Sequence, residues 1–381
     1  MPFWRLSGFY FFYFATLGAV VPYFGLYLHS LGFGPVDIGS LMALLMFSRI
    51  VAPLIWGWIA DHRGQRMAVV RLASLLAIIS FAGVFVGTRF WWLAVVLLLF
   101  SFFWHASLPL LEVFTMNYFG SRPGAYGRVR LWGSLGFIAS VLALGPIMDS
   151  AGPWWVLPAL IALMVGMLLY SLLLPEFGIK VRAEHAEPFL KVILRPEVFA
   201  FLLACFLMQA GHGAYYTFYT LYLEQHGYSK TVIGALWAFA VVCEIGVFIL
   251  LQQVFARIPL RQVLLASFLA AALRWLLIGH YPDSLAVLIL AQALHAATFG
   301  SFHAAAMQTV HGFFVGRHQY RGQAIYGSAS FGLGGALGSF YSGYSWEILG
   351  PAMTFNIAAL FALAAFGVAF VMFKGTLKAR T

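Results

Sequence analysis

Charge is what this sequence has least of. Only 9% of its 381 residues are Asp, Glu, Lys or Arg, whereas 62% are hydrophobic. A soluble domain carries roughly a quarter charged residues, so this chain lacks the polar side chains needed to cover a surface facing water. A lipid-facing exterior resolves the shortage. Cysteine is nearly absent: Cys205 and Cys243 both lie in apolar stretches, which excludes a disulfide framework and a thiolate metal site. The net charge of +10 comes from basic residues scattered through short loops, with no basic arm, so nucleic acid is not the expected partner. No nucleophile–base pair, phosphate loop or metal-ligand spacing appears, and no enzyme activity or cofactor is expected. A cleavable leader is not expected either, because the first apolar stretch is long and runs straight into a second.

What is present is one apolar run after another. A bilayer core of ~30 Å takes about 20 apolar residues as a helix. That ruler predicts twelve spans, at about 4–30, 36–60, 67–87, 90–118, 128–150, 152–174, 197–224, 230–256, 262–281, 284–312, 321–345 and 350–373. The runs are continuous rather than alternating, which excludes a membrane barrel. The fold class is therefore all-α and integral to the bilayer. Lys and Arg crowd one set of loops (Arg63, Arg66, Arg128, Arg195, Arg257 and Arg261 among them), against Arg89 and Lys230 in the other. The excess of positive charge inside predicts cytoplasmic N- and C-termini.

The chain also repeats itself. At an offset of 195, Leu26-Tyr27-Leu28 falls on Leu221-Tyr222-Leu223, Gly32 on Gly227, and Ile38-Gly39 on Ile233-Gly234. At 194, Trp132-Gly133-Ser134 and Phe137 fall on Tyr326-Gly327-Ser328 and Phe331. Two six-helix halves are predicted, 1–174 and 197–381, joined by a polar cytoplasmic linker at 175–196 that carries Glu176, Glu184, His185 and Glu187. Paired halves of this kind belong to transporters that alternate access around a midplane site.

The loop after the second span, Gly57-Trp-Ile-Ala-Asp61-His62-Arg63-Gly64-Gln65-Arg66, resembles the G-x-x-x-D-R-x-G-R-R signature of the major facilitator superfamily. Gly57, Asp61, Gly64 and Arg66 match; His62 and Gln65 depart from it. Further stretches are similar to the phenylpropionate permease family, related to the lactose and nucleoside proton symporters. They are Tyr126–Ser134, Gln209–Tyr216, Arg274-Trp275, Leu294-His295, His303–Met307 and Gln323–Tyr326, and the likeness extends over most of the chain. The resemblance implies a bacterial-type inner-membrane carrier that works as a monomer. It takes up a small organic solute, an aromatic carboxylate such as 3-phenylpropionate first, with the proton gradient as energy source. A disaccharide or nucleoside symporter, or a proton-driven exporter, are the alternatives. Exporters often end the fifth span with G-x-x-x-G-P-x-x-G-G; here Val141 replaces the first Gly, and Gly145-Pro146 runs on into Ile147-Met148-Asp149-Ser150.

Ionisable residues inside spans are costly and mark function. Arg49 lies in the middle of the second span, Glu244 in the eighth and Arg274 in the ninth; Arg49 and Glu244 are repeat equivalents. Glu244 is the expected proton carrier, with Arg274 and His303 in the same group, because a carboxyl in a low-dielectric site holds its proton more readily and a nearby guanidinium opposes that. A static ion pair is the alternative. The lactose-type symporters likewise carry an acid, an arginine and a histidine in spans eight to ten, but their acid in span ten has no counterpart here.

Gln209, His212, Tyr216 and Tyr219 recur at i, i+3, i+7 and i+10, one helical face suited to an aromatic or sugar-like solute, or else a packing seam. With Arg49, His105, Glu112, His295 and Trp237 they form the expected substrate group. His105 and Glu112 share a face, and Glu112 is expected to pair with Arg128 or Arg130 across spans four and five. His295 and His303, eight residues apart, lie within ~80° on an ideal helix. Gly57, Asp61, Gly64, Arg66, Arg128 and Arg130 form the expected gating group.

Overall fold

A computed structural model of the chain describes residues 3–119, 123–176, 189–315 and 318–373. No strand occurs among them. They form α1 (Phe3–Ser30), α2 (Pro35–Arg63), α3 (Arg66–Ala82), α4 (Phe90–Phe119), α5 (Pro123–Ala151) and α6 (Val156–Leu172). After a short α7 (Phe189–Ile193) come α8 (Pro196–Gln225), α9 (Lys230–Arg257) and α10 (Leu260–His280). Then α11 (Leu285–Ala293) runs through a π-helical stretch, Ala296–Ser301, into α12 (Phe302–Phe313). Likewise α13 (Gln319–Gly327) runs through a second π stretch, Ser328–Gly334, into α14 (Gly335–Leu349), and α15 (Pro351–Met372) closes the fold. Of the linker, residues 177–188, with Glu184, His185 and Glu187, lie outside the described residues.

Among the described residues, eleven helices are long and apolar enough to cross a membrane. The run 319–349 is not among them. Its first third is polar (Gln319, Arg321, Gln323) and its middle is glycine-rich π helix, so composition alone does not mark the eleventh of the predicted spans. As expected of lipid-facing surface, Trp58, Val86, Trp91 and Ile249 are all more than 60% exposed.

The sequence punctuates these helices with glycine and proline. Gly34, Gly152 and Gly350 each precede a proline at the start of a helical turn, where its missing N–H costs nothing. Gly32 (φ 87°) and Gly227 (φ 82°) adopt the left-handed conformation that glycine alone takes without strain. They lie 195 residues apart, so these two positions that match in sequence also match in backbone.

The chain forms two compact units, Met1–Lys180 with Thr217–Ala238, and Val181–Tyr216 with Phe239–Thr381. In the first, α1 packs along α5 and α6, while α2 and α3 pack on α4. In the second, α10 packs along α15 and against α11, α12 and the π stretch between them. In each unit an arginine staples the end of a helix. Arg71 donates to the carbonyls of Ser171 and Leu174 at the end of α6, and Arg261 to those of Phe370 and Phe373 at the end of α15. Both cations meet the negative end of a helix dipole.

Gly18 and Gly213, again 195 apart, mark matching close approaches: Gly18 against the Phe137 backbone of α5, Gly213 against Gly338 of α14. A Cβ at 213 would run into main chain, which cannot yield as a side-chain tip does. Gly213→Val is therefore expected to cost about 1–3 kcal/mol of stability or more. A lowered melting temperature of the purified protein in detergent checks this.

Candidate functional site: two ionic clusters

The second unit buries Arg274 completely. A guanidinium can be held so deep only if its N–H groups are occupied. Its Nε donates to the Ala291 carbonyl (2.9 Å) and its Nη2 to Gln292 Oε1 (2.8 Å). Nη1 reaches His295 Nδ1 (3.1 Å) and Thr298 Oγ1 (3.3 Å). The cation also lies 4.1 Å from the ring centre of Tyr215, whose hydroxyl donates to the same Gln292 oxygen at 3.0 Å. Four side chains and one carbonyl, from α8, α11 and the π stretch with its flanking His295, thus converge on one positive charge.

His295 is the pivot. An arginine N–H only donates, so His295 Nδ1 must accept, and the proton of the neutral ring then sits on Nε2. That nitrogen stands 3.6 Å from Glu244 Oε2 of α9. Such a gap is too long for a hydrogen bond but close for an electrostatic pair. The order is cation, imidazole, carboxylate. Gly300 lies against Glu244, where an added Cβ would be 3.0 Å from the carboxylate stem, so the π stretch supplies the room the acid needs.

His303 makes a hydrogen bond to the Tyr326 hydroxyl (3.2 Å). Its ring stacks on Phe299 (6.0 Å), which stacks on His295 (5.3 Å). On an ideal helix the two histidines would diverge by ~80°; the extra residue that each π turn accommodates brings both onto a single stack. Sequence spacing set His303 with Glu244 and Arg274, and His295 with the substrate group. In space, His295 joins Arg274 to Glu244.

On α8, His212 Nδ1 donates to the Met208 carbonyl (2.8 Å), and its ring meets Trp275 edge to face at 4.9 Å. Gln209 is buried beside Gly334, and Tyr216 lies 5.6 Å from His212. Neither His212 Nε2 nor Gln209 Nε2 has a partner among the described residues. Tyr219 belongs with the first unit and packs edge to face on Trp237, whose Nε1 donates to Thr220 Oγ1 (3.1 Å).

The first unit has its own cluster. Ser48 holds His105 Nδ1 at 2.8 Å, and Arg49, next along α2, lies close to Tyr13, His105 and Glu112. Glu112 stands 3.9 Å from Arg130, the α4–α5 pair expected from sequence, while Arg128 is exposed. Arg130 lies 4.0 Å over Phe14. Among the described residues Glu112 is the only acid in the interior of this unit; Asp37, Asp61, Asp149, Glu176 and Glu224 all lie at or beyond helix ends. Two guanidiniums therefore face one carboxylate among aromatic rings.

At the α2–α3 turn, Gly64 caps α2 in the left-handed conformation (φ 65°), and Arg66 binds Asp61 at 2.6 Å. Gly57 has open space around it.

Helices of membrane-spanning length with apolar residues outside and ion pairs among them make a multi-pass membrane protein, and its family makes it a transporter, not an enzyme. The chain matches the MFS_1 like family over residues 3–357 and belongs to that family. It is 29% identical to the "Probable 3-phenylpropionic acid transporter" of Escherichia coli (strain K12), over 95% of each chain. It is 25% identical to the "Maltose permease" of Geobacillus stearothermophilus, over 92% of this chain and 90% of the other. The solved nucleoside transporter NupG shares the fold, with a TM-score of 0.85 over 98% of this chain and 100% of that one, at 17% identity.

Proposed function

We propose that the protein is a proton symporter that imports a small aromatic carboxylate, with 3-phenylpropionate as the first candidate. The observation that carries the carboxylate is the charge excess in the first unit: Arg49 and Arg130 against Glu112 alone in the interior. A carboxylate solute balances that excess, and Tyr13, Phe14 and Tyr126 supply apolar and stacking surface beside it. The E. coli relative's name supports the same class. In the first unit Arg49 is the contact for the anion, and His105, Glu112, Tyr219 and Trp237 are its further substrate residues; in the second, His212, Gln209 and Tyr216 are the substrate residues.

The proton is carried on Glu244. With Glu244 ionised, the charges of Arg274 and Glu244 cancel through His295. A proton taken up on the carboxylate leaves Arg274 unbalanced in a medium that penalises net charge, and this imbalance couples loading to rearrangement. His303 and Tyr326 form a second hydrogen-bonded station on the same stack. Asp61, Arg66, Gly57, Gly64, Arg128 and Arg130 belong to the gating loops. The moving bodies are the repeats 1–174 and 197–381, the termini are cytoplasmic, the working unit is a monomer, and the proton gradient replaces any cofactor.

A neutral solute is the second reading, favoured by the names of the maltose and nucleoside relatives. Binding separates the two. Arg49→Ala is expected to weaken binding of 3-phenylpropionate about ten- to a hundredfold, the loss of one charged hydrogen bond, and to leave a nucleoside or maltose little changed. Calorimetry on the purified protein checks this. Equal losses for acid and sugar would make Arg49 a structural residue.

A further inference from the structure

Asp149, near the end of α5, makes three bonds to the start of α9. Its Oδ1 accepts from the Lys230 backbone N–H (2.8 Å), and its Oδ2 accepts from the Thr231 N–H (2.9 Å) and the Thr231 hydroxyl (2.6 Å). The first turn of a helix leaves four N–H groups without intrahelical partners and carries positive dipole charge. Helices usually supply their own cap, and α9 has one for Val232, whose N–H donates to the Ser229 hydroxyl. The N–H groups of Lys230 and Thr231 are instead satisfied by a carboxylate 81 and 82 residues away in sequence.

The same contact is backed by close backbone packing. The Tyr23 hydroxyl of α1 donates to the Val141 carbonyl of α5 at 2.7 Å. Gly234 of α9 lies against that carbonyl and that hydroxyl. A Cβ on Gly145 would come within 2.7 Å of the Lys230 carbonyl. Lys230 is held in turn by Glu224 at the end of α8 (2.7 Å). So α1 and α5 of the first sequence repeat are fitted, small residue to backbone, to the start of α9 of the second.

The other end of the first unit is built differently. Among the described residues, Asp61 at the end of α2 pairs only with Arg66 of its own loop, and 57% of its side chain is exposed. The other polar ties there, Glu176 to the Met67 and Ala68 N–H groups and Arg5 to the Leu173 carbonyl, stay within the first repeat.

We propose that Asp149 is the gate latch of this transporter: a remote carboxylate cap that can form only while α5 and α9 meet, and whose release opens the end opposite Asp61. Thr231 is its receiving group. Tyr23, Gly145 and Gly234 make the seat into which it closes. Neither substrate identity nor proton coupling enters this assignment, so its failure and theirs are separable.

The test is the separation between spin labels on the exposed positions Ser150 and Gln225, introduced as Ser150→Cys and Gln225→Cys in a Cys205→Ala, Cys243→Ala background that retains uptake. The parent should show mainly the short distance. Asp149→Ala should raise the ratio of long to short distances about tenfold, the typical worth of a lost cap. Asp149→Asn, which keeps one acceptor, and Thr231→Val should shift it less and in the same direction. Should Asp149→Ala fail to fold, these two milder variants carry the test. A cap that serves only stability would lower the melting temperature and leave the distance distributions of all three variants at the parent's, and that result overturns the assignment.

Discussion

Glu244→Gln stops accumulation. In proteoliposomes with a proton gradient, the variant should equilibrate 3-phenylpropionate across the membrane without concentrating it, while exchange of labelled for unlabelled solute persists. Glutamine keeps the size of the side chain and its hydrogen-bonding oxygen but cannot take up a proton or carry the balancing charge for Arg274. The separation of exchange from accumulation is the informative part, because exchange needs only binding and rearrangement. Full concentrative uptake by Glu244→Gln would remove Glu244 from the proton path.

The second large effect is structural. Arg274→Met leaves the Glu244 charge without its cation and strips Gln292, His295 and Thr298 of their shared donor. Removing one partner of a buried pair costs about 3–5 kcal/mol, so a sharp fall in folded yield is expected. The double variant Arg274→Met, Glu244→Gln removes both charges and should recover most of the folding, since a neutral pair in an apolar interior is tolerated. It should not recover proton-driven uptake. Recovery of folding without transport shows that the pair is kept for coupling. No recovery of folding would mean that Arg274 is held mainly by Ala291, Gln292 and Tyr215.

Much of this was legible in the sequence. Spans are legible because lipid imposes length and apolarity, and the match of Gly32 with Gly227 because both take a left-handed backbone. The pairing of Glu112 with Arg130 followed from spacing on adjacent helices. What the sequence withheld depends on helices that are not regular. The π stretches at Ala296–Ser301 and Ser328–Gly334 arise from packing that no periodicity encodes, and they decide which histidine meets Glu244. Gln292, Tyr215 and Thr298 were passed over although a signal existed: Gln292 is a polar residue in an apolar run, three positions before His295, and a buried amide in a membrane span needs a partner. Asp149 was read only as a departure from an exporter motif; its role depends on where α9 begins in space.

The central claim is that inward movement of a carboxylate solute is tied to inward movement of a proton through Glu244. The direct measurement adds 3-phenylpropionate outside proteoliposomes that contain a pH-sensitive dye and no imposed gradient, in sodium-free buffer with the membrane potential clamped. The interior should acidify on addition in the native protein and stay unchanged in Glu244→Gln. Entry of the labelled solute with no acidification in the native protein, or entry only when sodium is supplied, would contradict it.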